Sequence, residues 1–462
     1  MPEPHPPAAW RRYPYQLVPS DGQLEFPAAE GMHPQYQSDT WYLAGYLTAP
    51  PSGHRYAFIT IFNRNRPGGP VVADFYTFAL FDLDHGRYGT FTDYDMPPAN
   101  MAPGSVAKLT CAEGHLDLRY ESSAGTATWT TCHDTDGALV PFTYDFEVIG
   151  HDSNGARMEL QLRLTPSRPP VPVGASVHRG KIAACLQDDT YSYFQTGVQM
   201  TGTLHWGDLT EEVSGQNGHI DRQWFPKYAG GGGTGGDMRG QAHQWHTISL
   251  DNGADLSVWR QFDRRTGNTL VPFSGITVSY PDGRPPECVE DVQVTTTSFV
   301  RWPNEIRCLV RPPSKNRYLP DRHTVSSADL DLQLTGEPLV ACPAHALPIE
   351  YLEGPYRYHG TMAGLPVSGV ALYEATDARY RDWELAEVLD TQIRARGAES
   401  GELTAALARA RTLIAHRDKP ATLAVLDDQV RPLLTALPGG VSGELIEILD
   451  SLAAAVRSDE LG

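Results

Sequence analysis

Apolar and polar residues alternate over much of this chain, and this pattern restricts the fold more than any single motif does. The clearest run is 158–164, which reads MELQLRL, so that every second residue is apolar. Successive side chains of a strand point to opposite faces of a sheet, so a period of two predicts a strand with one buried and one solvated face. A solvated face is typical of antiparallel sheets. The chain is therefore predicted to be mainly β.

Two stretches share this character and predict two β-domains. The first spans residues 36–173 and ends in SRPPVPV, which reads as a linker. The second spans residues 174–378 and repeats the alternation as LDLQL at 330–334. It also contains Asn252-Gly253 between two apolar runs, and Asn-Gly in that setting is a strong hairpin signal. Strands that carry tryptophan in both stretches indicate a loose internal duplication.

The two ends of the chain depart from this β pattern. Residues 1–35 are rich in proline, which predicts an irregular arm. In residues 379–462 apolar side chains recur every three or four positions, as at Leu385, Val388 and Leu389, which predicts amphipathic helices. This helical tail is expected to be either a stabilising or dimerising appendage or a lid over the β-domains.

Composition excludes several kinds of partner. The net charge of −19 argues against nucleic acid and anionic membrane surfaces. No apolar run reaches the roughly 18 residues that a transmembrane helix needs, so no integral membrane segment is predicted. The six cysteines contain no C-x-x-C pair, so a zinc ribbon is not expected, and six are too sparse in a chain of 462 residues for a disulfide scaffold. The first residues lack an apolar signal region, which predicts a cytoplasmic protein. The oligomeric state is left open.

The strongest candidate for chemistry is the segment DRQWF (221–225), which ends a predicted hairpin over 193–225. A carboxyl group held against large rings is desolvated, which raises its pKa and keeps it protonated as a catalytic acid. Asp221 is therefore a candidate acid beside Trp224, although the cation of Arg222 favours the carboxylate. The alternative is an Asp221–Arg222 pair that pins a turn, with Trp224 in the core.

Around the Asn-Gly turn, Trp245, His246, Trp259 and Asp263 are further candidates, with core packing as the alternative for the tryptophans. His243 and Trp245 share one strand face and His246 takes the other, so no metal site is predicted. The nearby glycine run, GGGGTGG at 230–236, lacks the Lys-Ser or Lys-Thr of a phosphate loop. It predicts a plain flexible loop or a mobile flap rather than nucleotide binding.

A third segment, YLEGPYRYHG at 351–360, supplies Glu353 as the second candidate carboxyl. Tyr356 and Tyr358 occupy alternate positions of the predicted strand and so form a wall of rings on one face. Rings that face a cavity stabilise cations through their quadrupoles. The alternative is that this wall is the core of a sheet.

Four stretches together resemble a known family. They are WYLAGYLTA with YAFITIFNRN, FALFDLDHGRYG, the hairpin 193–225, and YLEGPYRYHGTMAGLPVSGVALYEATD. Over residues 38–378 the chain resembles the carotenoid 1,2-hydratase (hydroxyneurosporene synthase) family, which includes kievitone hydratase and AttH-type proteins. The resemblance implies two lipocalin-like antiparallel β-barrel domains packed together, a ligand pocket at or near their interface, and no cofactor. It also implies hydration of apolar isoprenoids or, as in the related Diels–Alderases, cyclisation of polyenes.

The family's usual motif is Asp-His-x-Trp-Gly. Asp221 and Trp224 match it, whereas Arg222 replaces the histidine and Phe225 replaces the glycine. An arginine cannot shuttle a proton near neutral pH. The departure disfavours carotenoid hydration as such, and it favours a reaction that Asp221 starts by protonation or one that needs only shape and hydrogen bonds.

The expected function is therefore an enzyme of the hydratase or cyclase type that acts on a hydrophobic small molecule. In hydration, Asp221 would protonate the alkene and Asp263 or Glu353 would guide the water. In cyclisation, Arg222 or a tyrosine would bind a carbonyl group. The residues predicted to line the pocket are Trp41, Trp224, Trp245, His246, Trp259, Tyr356 and Tyr358. The alternatives are a lipocalin-like carrier without chemistry and a structural module that uses the helical tail.

Overall fold

The computed structural model describes residues 8–18, 24–65, 74–94, 108–182, 190–225, 241–270, 274–302, 316–345, 351–376 and 378–458. The glycine run 230–236 lies outside these residues. In the part that is described, the N-terminal arm is more regular than predicted. It contains 3-10 turns at Ala9–Arg11 and Ala28–Glu30 and a small sheet of β1 (Tyr15–Gln16) and β2 (Glu25–Phe26).

The first large sheet contains thirteen strands within the described residues. They are β3 (Ser38–Thr48), β4 (Arg55–Asn65), β5 (Phe75–Asp82), β6 (Arg87–Tyr94), β7 (Leu109–Cys111), β8 (Asp117–Glu121), β9 (Thr126–His133), β10 (Leu139–His151), β11 (Arg157–Pro166), β12 (Val171–Pro172), β13 (Lys181–Ile182), β14 (Thr190–Trp206) and β15 (Leu209–Phe225). All of its pairings are antiparallel, in the order β6-β5-β4-β3-β15-β14-β11-β10-β9-β8-β7, and β12 and β13 both pair with β14.

The second large sheet contains ten strands within the same residues. They are β16 (Gln241–Leu250), β17 (Asp255–Asp263), β18 (Gly275–Ser279), β19 (Glu287–Val289), β20 (Gln293–Arg301), β21 (Tyr318–Ser327), β22 (Leu332–Pro338), β23 (Ala344–His345), β24 (Tyr351–Met362) and β25 (Leu365–Ala375). Their order is β19-β18-β17-β16-β25-β24-β22-β21-β20, with β23 paired to β24. The Asn-Gly turn joins β16 to β17, and Gly253 has a φ of 84°, a left-handed conformation that suits glycine.

The hydrogen bonding corrects the predicted boundary between the β-domains. The prediction starts the second domain at residue 174, but the hairpin of β14 and β15 belongs to the first sheet, where β15 pairs with β3 and β14 pairs with β11. The first sheet therefore extends to Phe225 and the second begins at Gln241. Both strands of the hairpin are 17 residues long, and this length lets them pair with strands distant in sequence.

Each sheet curls around its own apolar core, and a third cluster lies between the sheets. Leu17, Leu24 and Phe26 of the N-terminal arm join the core of the first sheet. Residues of β3, β4 and β5 on the opposite face contact residues of the second sheet. This interface contains Tyr42, Ala44, Ala57, Ile59, Ile61, Ala79, Phe81, Val340, Tyr351 and Leu372.

After the sheets, the chain is helical, as predicted. A single-turn helix, α1 (Ala175–His178), occurs earlier between β12 and β13. The C-terminal helices are α2 (Asp382–Ala395), α3 (Gly401–Ala415), α4 (Lys419–Val425), α5 (Arg431–Thr435) and α6 (Gly439–Arg457), with a π-helical turn at Leu426–Val430. They share a core with Phe299 of β20 and Tyr318 of β21, so this group packs against the second sheet. No described helix is both long and apolar enough to cross a membrane.

Candidate functional site

Asp221 and Arg222 are neighbours in β15 and therefore point to opposite faces of the first sheet. In the strand register, Arg222 lies opposite Trp41 of β3, whereas Asp221 lies between Tyr42 of β3 and Phe194 of β14. Tyr42 and Phe194 belong to clusters that contain residues of both sheets. Asp221 thus faces the second sheet, and Arg222 faces the core of the first.

The position of Arg222 corrects its predicted role in the site. Its Nη1 donates to Thr40 O at 2.7 Å and its Nη2 donates to Gly31 O at 2.6 Å. The same Nη2 lies 3.3 Å from Asp39 Oδ1, and this ion pair is buried. The guanidinium also lies over the ring of Trp41, 4.1 Å from its centroid. Arg222 therefore holds the N-terminal arm and β3 together inside the first sheet.

Two predicted pocket residues, Trp41 and Trp224, lie in this same core. Trp224 stacks on His33, with ring centroids 3.9 Å apart, and on Tyr191. The structure does not bring these tryptophans to Asp221, because Trp224 lies three residues further along β15, on the face of Arg222. Trp224 therefore packs in the core of the first sheet, which is the alternative that the sequence left open for it.

The second sheet presents a row of four side chains toward the first sheet. Trp259, Trp245, Glu374 and Glu353 lie on β17, β16, β25 and β24, and each is directly opposite the next in the strand register. Directly opposite residues share a face, with Cβ atoms about 5 Å apart. The row therefore places two tryptophan rings beside two carboxyl groups, and the predicted candidates Trp245, Trp259 and Glu353 do meet.

This row faces Phe194, Asp221 and Tyr42, and contacts cross the gap at both ends. Tyr42 Oη donates to Glu353 Oε1 at 2.5 Å, and Phe194 packs in one cluster with Trp259. Tyr351 Oη donates to the other oxygen of Glu353 at 2.7 Å. The gap between the sheets thus has an acidic half and an aromatic half, with Asp221 between them.

Burial controls the protonation of these carboxyl groups. It raises the pKa of Asp221 to about 7, and the charge of Glu374 adds to the rise. A hydrogen bond from Ser192 Oγ at 3.2 Å and the charge of Arg222 oppose the rise without cancelling it. Burial, followed by the charge of Glu374, also holds the pKa of Glu353 well above its usual range. Both groups can carry a proton near neutral pH, as a catalytic acid must.

The other predicted residues lie elsewhere. Tyr356, Tyr358 and His246 face the interior of the second sheet, opposite to Glu353, because they occupy the other parity of their strands. There Tyr358 Oη lies 2.7 Å from His246 Nδ1 and also contacts His323 Nε2. The wall of rings is therefore sheet core, which corrects its predicted place beside Glu353.

Asp263 caps a turn at the end of β17. Its Oδ1 accepts from the backbone nitrogen of Thr266 at 2.7 Å and from Thr266 Oγ1 at 2.9 Å. These bonds lower its pKa, and the residue is partly exposed. Asp263 therefore stays ionised at the end of β17, and its proposed part in guiding water is not supported by its position.

Sequence reasoning missed Glu374, Tyr42 and Phe194, and it interpreted His219, just before DRQWF, as an ordinary hydrogen-bonded histidine. Glu374 lies within hydrogen-bonding distance of His243, with 2.6 Å between His243 Nε2 and Glu374 Oε1. The only available signal was the strand parity that places His243 and Trp245 on one face. Nothing local to Glu374 or Tyr42 indicates which sheet will pack against them.

A narrow cleft with a cavity volume of about 10 Å³, about the room that one water molecule needs, lies between the sheets beside this row. It is lined by Tyr46 and His219 of the first sheet and by Thr247, Ser249 and Leu372 of the second, among others. Within the described residues, no group of three or more His, Cys, Asp or Glu side chains is placed to hold a metal ion.

Two curled antiparallel sheets with a buried acidic and aromatic layer between them define a two-domain, lipocalin-like class of protein. The chain belongs to the AttH-like family, whose model matches residues 17–377. This confirms the resemblance stated from the sequence. The helices from Asp382 onward lie outside the matched region.

Solved structures share this fold. A protein of Nitrosomonas europaea described as AttH is 19% identical, with a TM-score of 0.55 over 76% of this chain and 96% of that one. Kievitone hydratase from Nectria haematococca is 10% identical, with a TM-score of 0.52 over 76% of this chain and 92% of that one. A search of curated proteins finds no match to this sequence.

Proposed function

We propose that this protein catalyses an acid-initiated reaction, most simply the addition of water, at a carbon–carbon double bond of an apolar small molecule held between the two sheets. The observation that carries the proposal is the position of Asp221. It is a buried carboxyl on the inter-sheet face with its pKa raised to about 7. A carboxyl with this pKa still carries its proton near neutral pH and is therefore available to donate it.

The aromatic half of the gap supports a cationic intermediate. Protonation of an alkene leaves a carbocation, and ring faces stabilise cations through their quadrupoles. Trp245 and Trp259 are adjacent in the register, and Phe194 packs against Trp259 from the opposite sheet. These rings lie next to the acid, so the charge would develop where it is stabilised. An isoprenoid double bond, which gives a tertiary cation, suits this arrangement.

Hydration is favoured over cyclisation because of where Arg222 lies. The cyclisation hypothesis used Arg222 or a tyrosine to bind a carbonyl group, and the donors of Arg222 are engaged by Thr40 O, Gly31 O and Asp39 inside the first sheet, which leaves a tyrosine for that role. Kievitone hydratase, which shares the fold, is by its name a hydratase acting on kievitone. A carrier without chemistry is the competing proposal, and it needs no raised pKa at Asp221.

The test compares Asp221→Asn with Glu30→Gln. Glu30 is a matched control because it is also fully buried with a pKa raised to about 7, but it accepts from Tyr13 and Tyr144 in the first sheet's core. Kievitone and an acyclic carotene are incubated in H₂¹⁸O, and labelled alcohol is measured by mass spectrometry. We expect D221N to lose at least about 100-fold of the turnover, the range typical of a general acid, and E30Q to keep it. Bound but unconverted probes with the wild-type protein would favour the carrier.

A further inference from the structure

His219 lies two residues before Asp221 in β15 and therefore on the same inter-sheet face. A spacing of two residues along a strand puts their Cα atoms about 7 Å apart, so the two side chains are neighbours on this face. The imidazole stacks on Phe194, with centroids 5.6 Å apart and an interplanar angle of 13°. It meets the ring of Tyr42 edge-on at 6.2 Å. These two rings fix its orientation.

The polar atoms of the cleft are incompletely bonded. His219 Nε2 is buried and has no hydrogen-bond partner among the residues that the structure describes. The same holds for Thr247 Oγ1, which lines the same cleft from the second sheet. Leaving a buried polar atom unbonded costs about 1–3 kcal/mol, so such atoms usually have a partner such as water. Two of them in one cleft indicate a site for a small polar ligand.

The backbone beside His219 is irregular. The register of β14 and β15 shifts between Gln195 and Val198, directly across from His219. The inserted Gly197 has a φ of 59°, a conformation that favours glycine. Bulges of this kind re-aim side chains and occur often beside active sites. A second shift follows between Val198 and Met200, so the β14–β15 ladder is irregular beside the cleft.

We propose that His219 is the catalytic base of the reaction: its Nε2, together with Thr247 Oγ1, holds the attacking water in the cleft and takes its proton. The inference rests on the proposed function, because it needs the cation that Asp221 forms.

The steps balance without any further reagent. The O–H bond of Asp221 breaks as a C–H bond forms, which leaves a carbocation and a carboxylate. The water oxygen bonds to the cation, and one of its protons passes to His219 Nε2. The imidazolium then returns that proton to the Asp221 carboxylate through solvent in the cleft. Both residues are restored, and one water molecule has been added across the double bond.

A neutral imidazole suits this task. Burial lowers the pKa of His219 to about 3, so its nitrogen lone pair is available at neutral pH. A low pKa makes a weak base, but the oxonium formed when water meets a carbocation is a far stronger acid than an imidazolium. The proton transfer is therefore favourable. Ionisable groups near His219 are Asp221 on the same strand, Tyr42 against its ring, and Tyr46 and Asp255 in the cleft wall, where Asp255 is paired with Arg168 at 2.6 Å.

The test is His219→Gln, with His323→Gln as the matched control. Glutamine can hold a water molecule but cannot accept a proton. His323 is also fully buried with a pKa lowered to about 3, but it lies inside the second sheet. Each variant is incubated in D₂O with kievitone and with an acyclic carotene. Two products are measured separately: deuterium in the recovered or isomerised alkene, which reports protonation by Asp221, and alcohol, which reports capture of water.

We expect H219Q to form alcohol at least about 100-fold more slowly while still exchanging deuterium into the alkene, and H323Q to behave as wild type. Alcohol formation by H219Q at the wild-type rate would overturn the role of His219 and leave the proposed function standing. A wild-type protein that neither exchanges nor hydrates either probe would overturn the proposed function and this inference with it.

Discussion

Replacing Asp221 by asparagine should stabilise the fold at neutral pH even though it removes the proposed acid. The ionised carboxylate of Asp221 is buried away from water, and burial is the main cause of its raised pKa. Asparagine has the same shape and keeps the oxygen that accepts from Ser192 Oγ at 3.2 Å. It cannot ionise, so the cost of burying a charge disappears. A gain in stability on substitution is typical of residues that are retained for function at the expense of stability.

The size of the effect follows from the pKa difference between the two states. The pKa rises from 3.8 to about 7 on folding, and each unit is worth about 1.4 kcal/mol, which gives about 4 kcal/mol. The native carboxyl holds its proton between these two pKa values while the unfolded one releases it. Wild-type stability therefore falls as pH rises through this window. The advantage of D221N should be near zero at pH 4 and reach about 4 kcal/mol by pH 8.

Urea denaturation of both proteins at several pH values between 4 and 8 measures this difference. Asp263→Asn is the control of opposite sign, because bonds from Thr266 lower the pKa of Asp263. D263N should be less stable than wild type by an amount that stays constant from about pH 5 to pH 8, because the stabilisation that comes with a lowered pKa is complete above the unfolded pKa. A D221N advantage that does not change with pH, or a D221N protein less stable than wild type at pH 8, would refute the reasoning.

Two further predictions concern buried ion pairs. Arg222→Met should lower the free energy of unfolding, measured by urea denaturation, by about 3–5 kcal/mol, because it leaves Asp39 without one of its cations. Turnover per folded molecule should not change, since Arg222 faces away from Asp221. A selective loss of turnover would contradict this assignment. Glu384→Gln should weaken the packing of the C-terminal helices on the second sheet, because Glu384 Oε1 accepts a hydrogen bond from Arg264 Nε at 2.8 Å in a buried ion pair. Limited proteolysis should then release the helical tail. A digest identical to that of the wild type would contradict the importance of that contact.

The sequence predicted much of the fold, because alternation reports burial directly. The run at 158–164 forms β11 with Met158, Leu160, Leu162 and Leu164 buried, and the Asn-Gly turn joins β16 to β17. Sheet membership could not be predicted in the same way. The β14–β15 hairpin pairs with β3 and β11, and these partners are distant in sequence. That choice depends on long-range pairing, which leaves no local signal.

The site was only half predictable for a related reason. Asp221 and Glu353 were recognised as unusual carboxyl groups, but their meeting depends on how the two sheets dock. Arg222 was read as a partner of Asp221 because the two are adjacent in sequence, although strand geometry sends adjacent side chains to opposite faces. Alternate residues of a strand point to opposite faces of its sheet. Applied to residues 221–225 and 353–358, as it was to 243–246, this rule separates the side chains that lie between the two sheets from those in the two sheet cores.

Asp221 should carry a proton near neutral pH, and infrared spectroscopy tests this without a substrate. The difference between wild type and D221N isolates the carboxyl stretch of Asp221, which is followed from pH 4 to pH 9. We predict a protonated carboxyl band that is lost with a midpoint near pH 7. A band already lost by about pH 5, as for an ordinary aspartate of pKa about 3.9, would contradict the account.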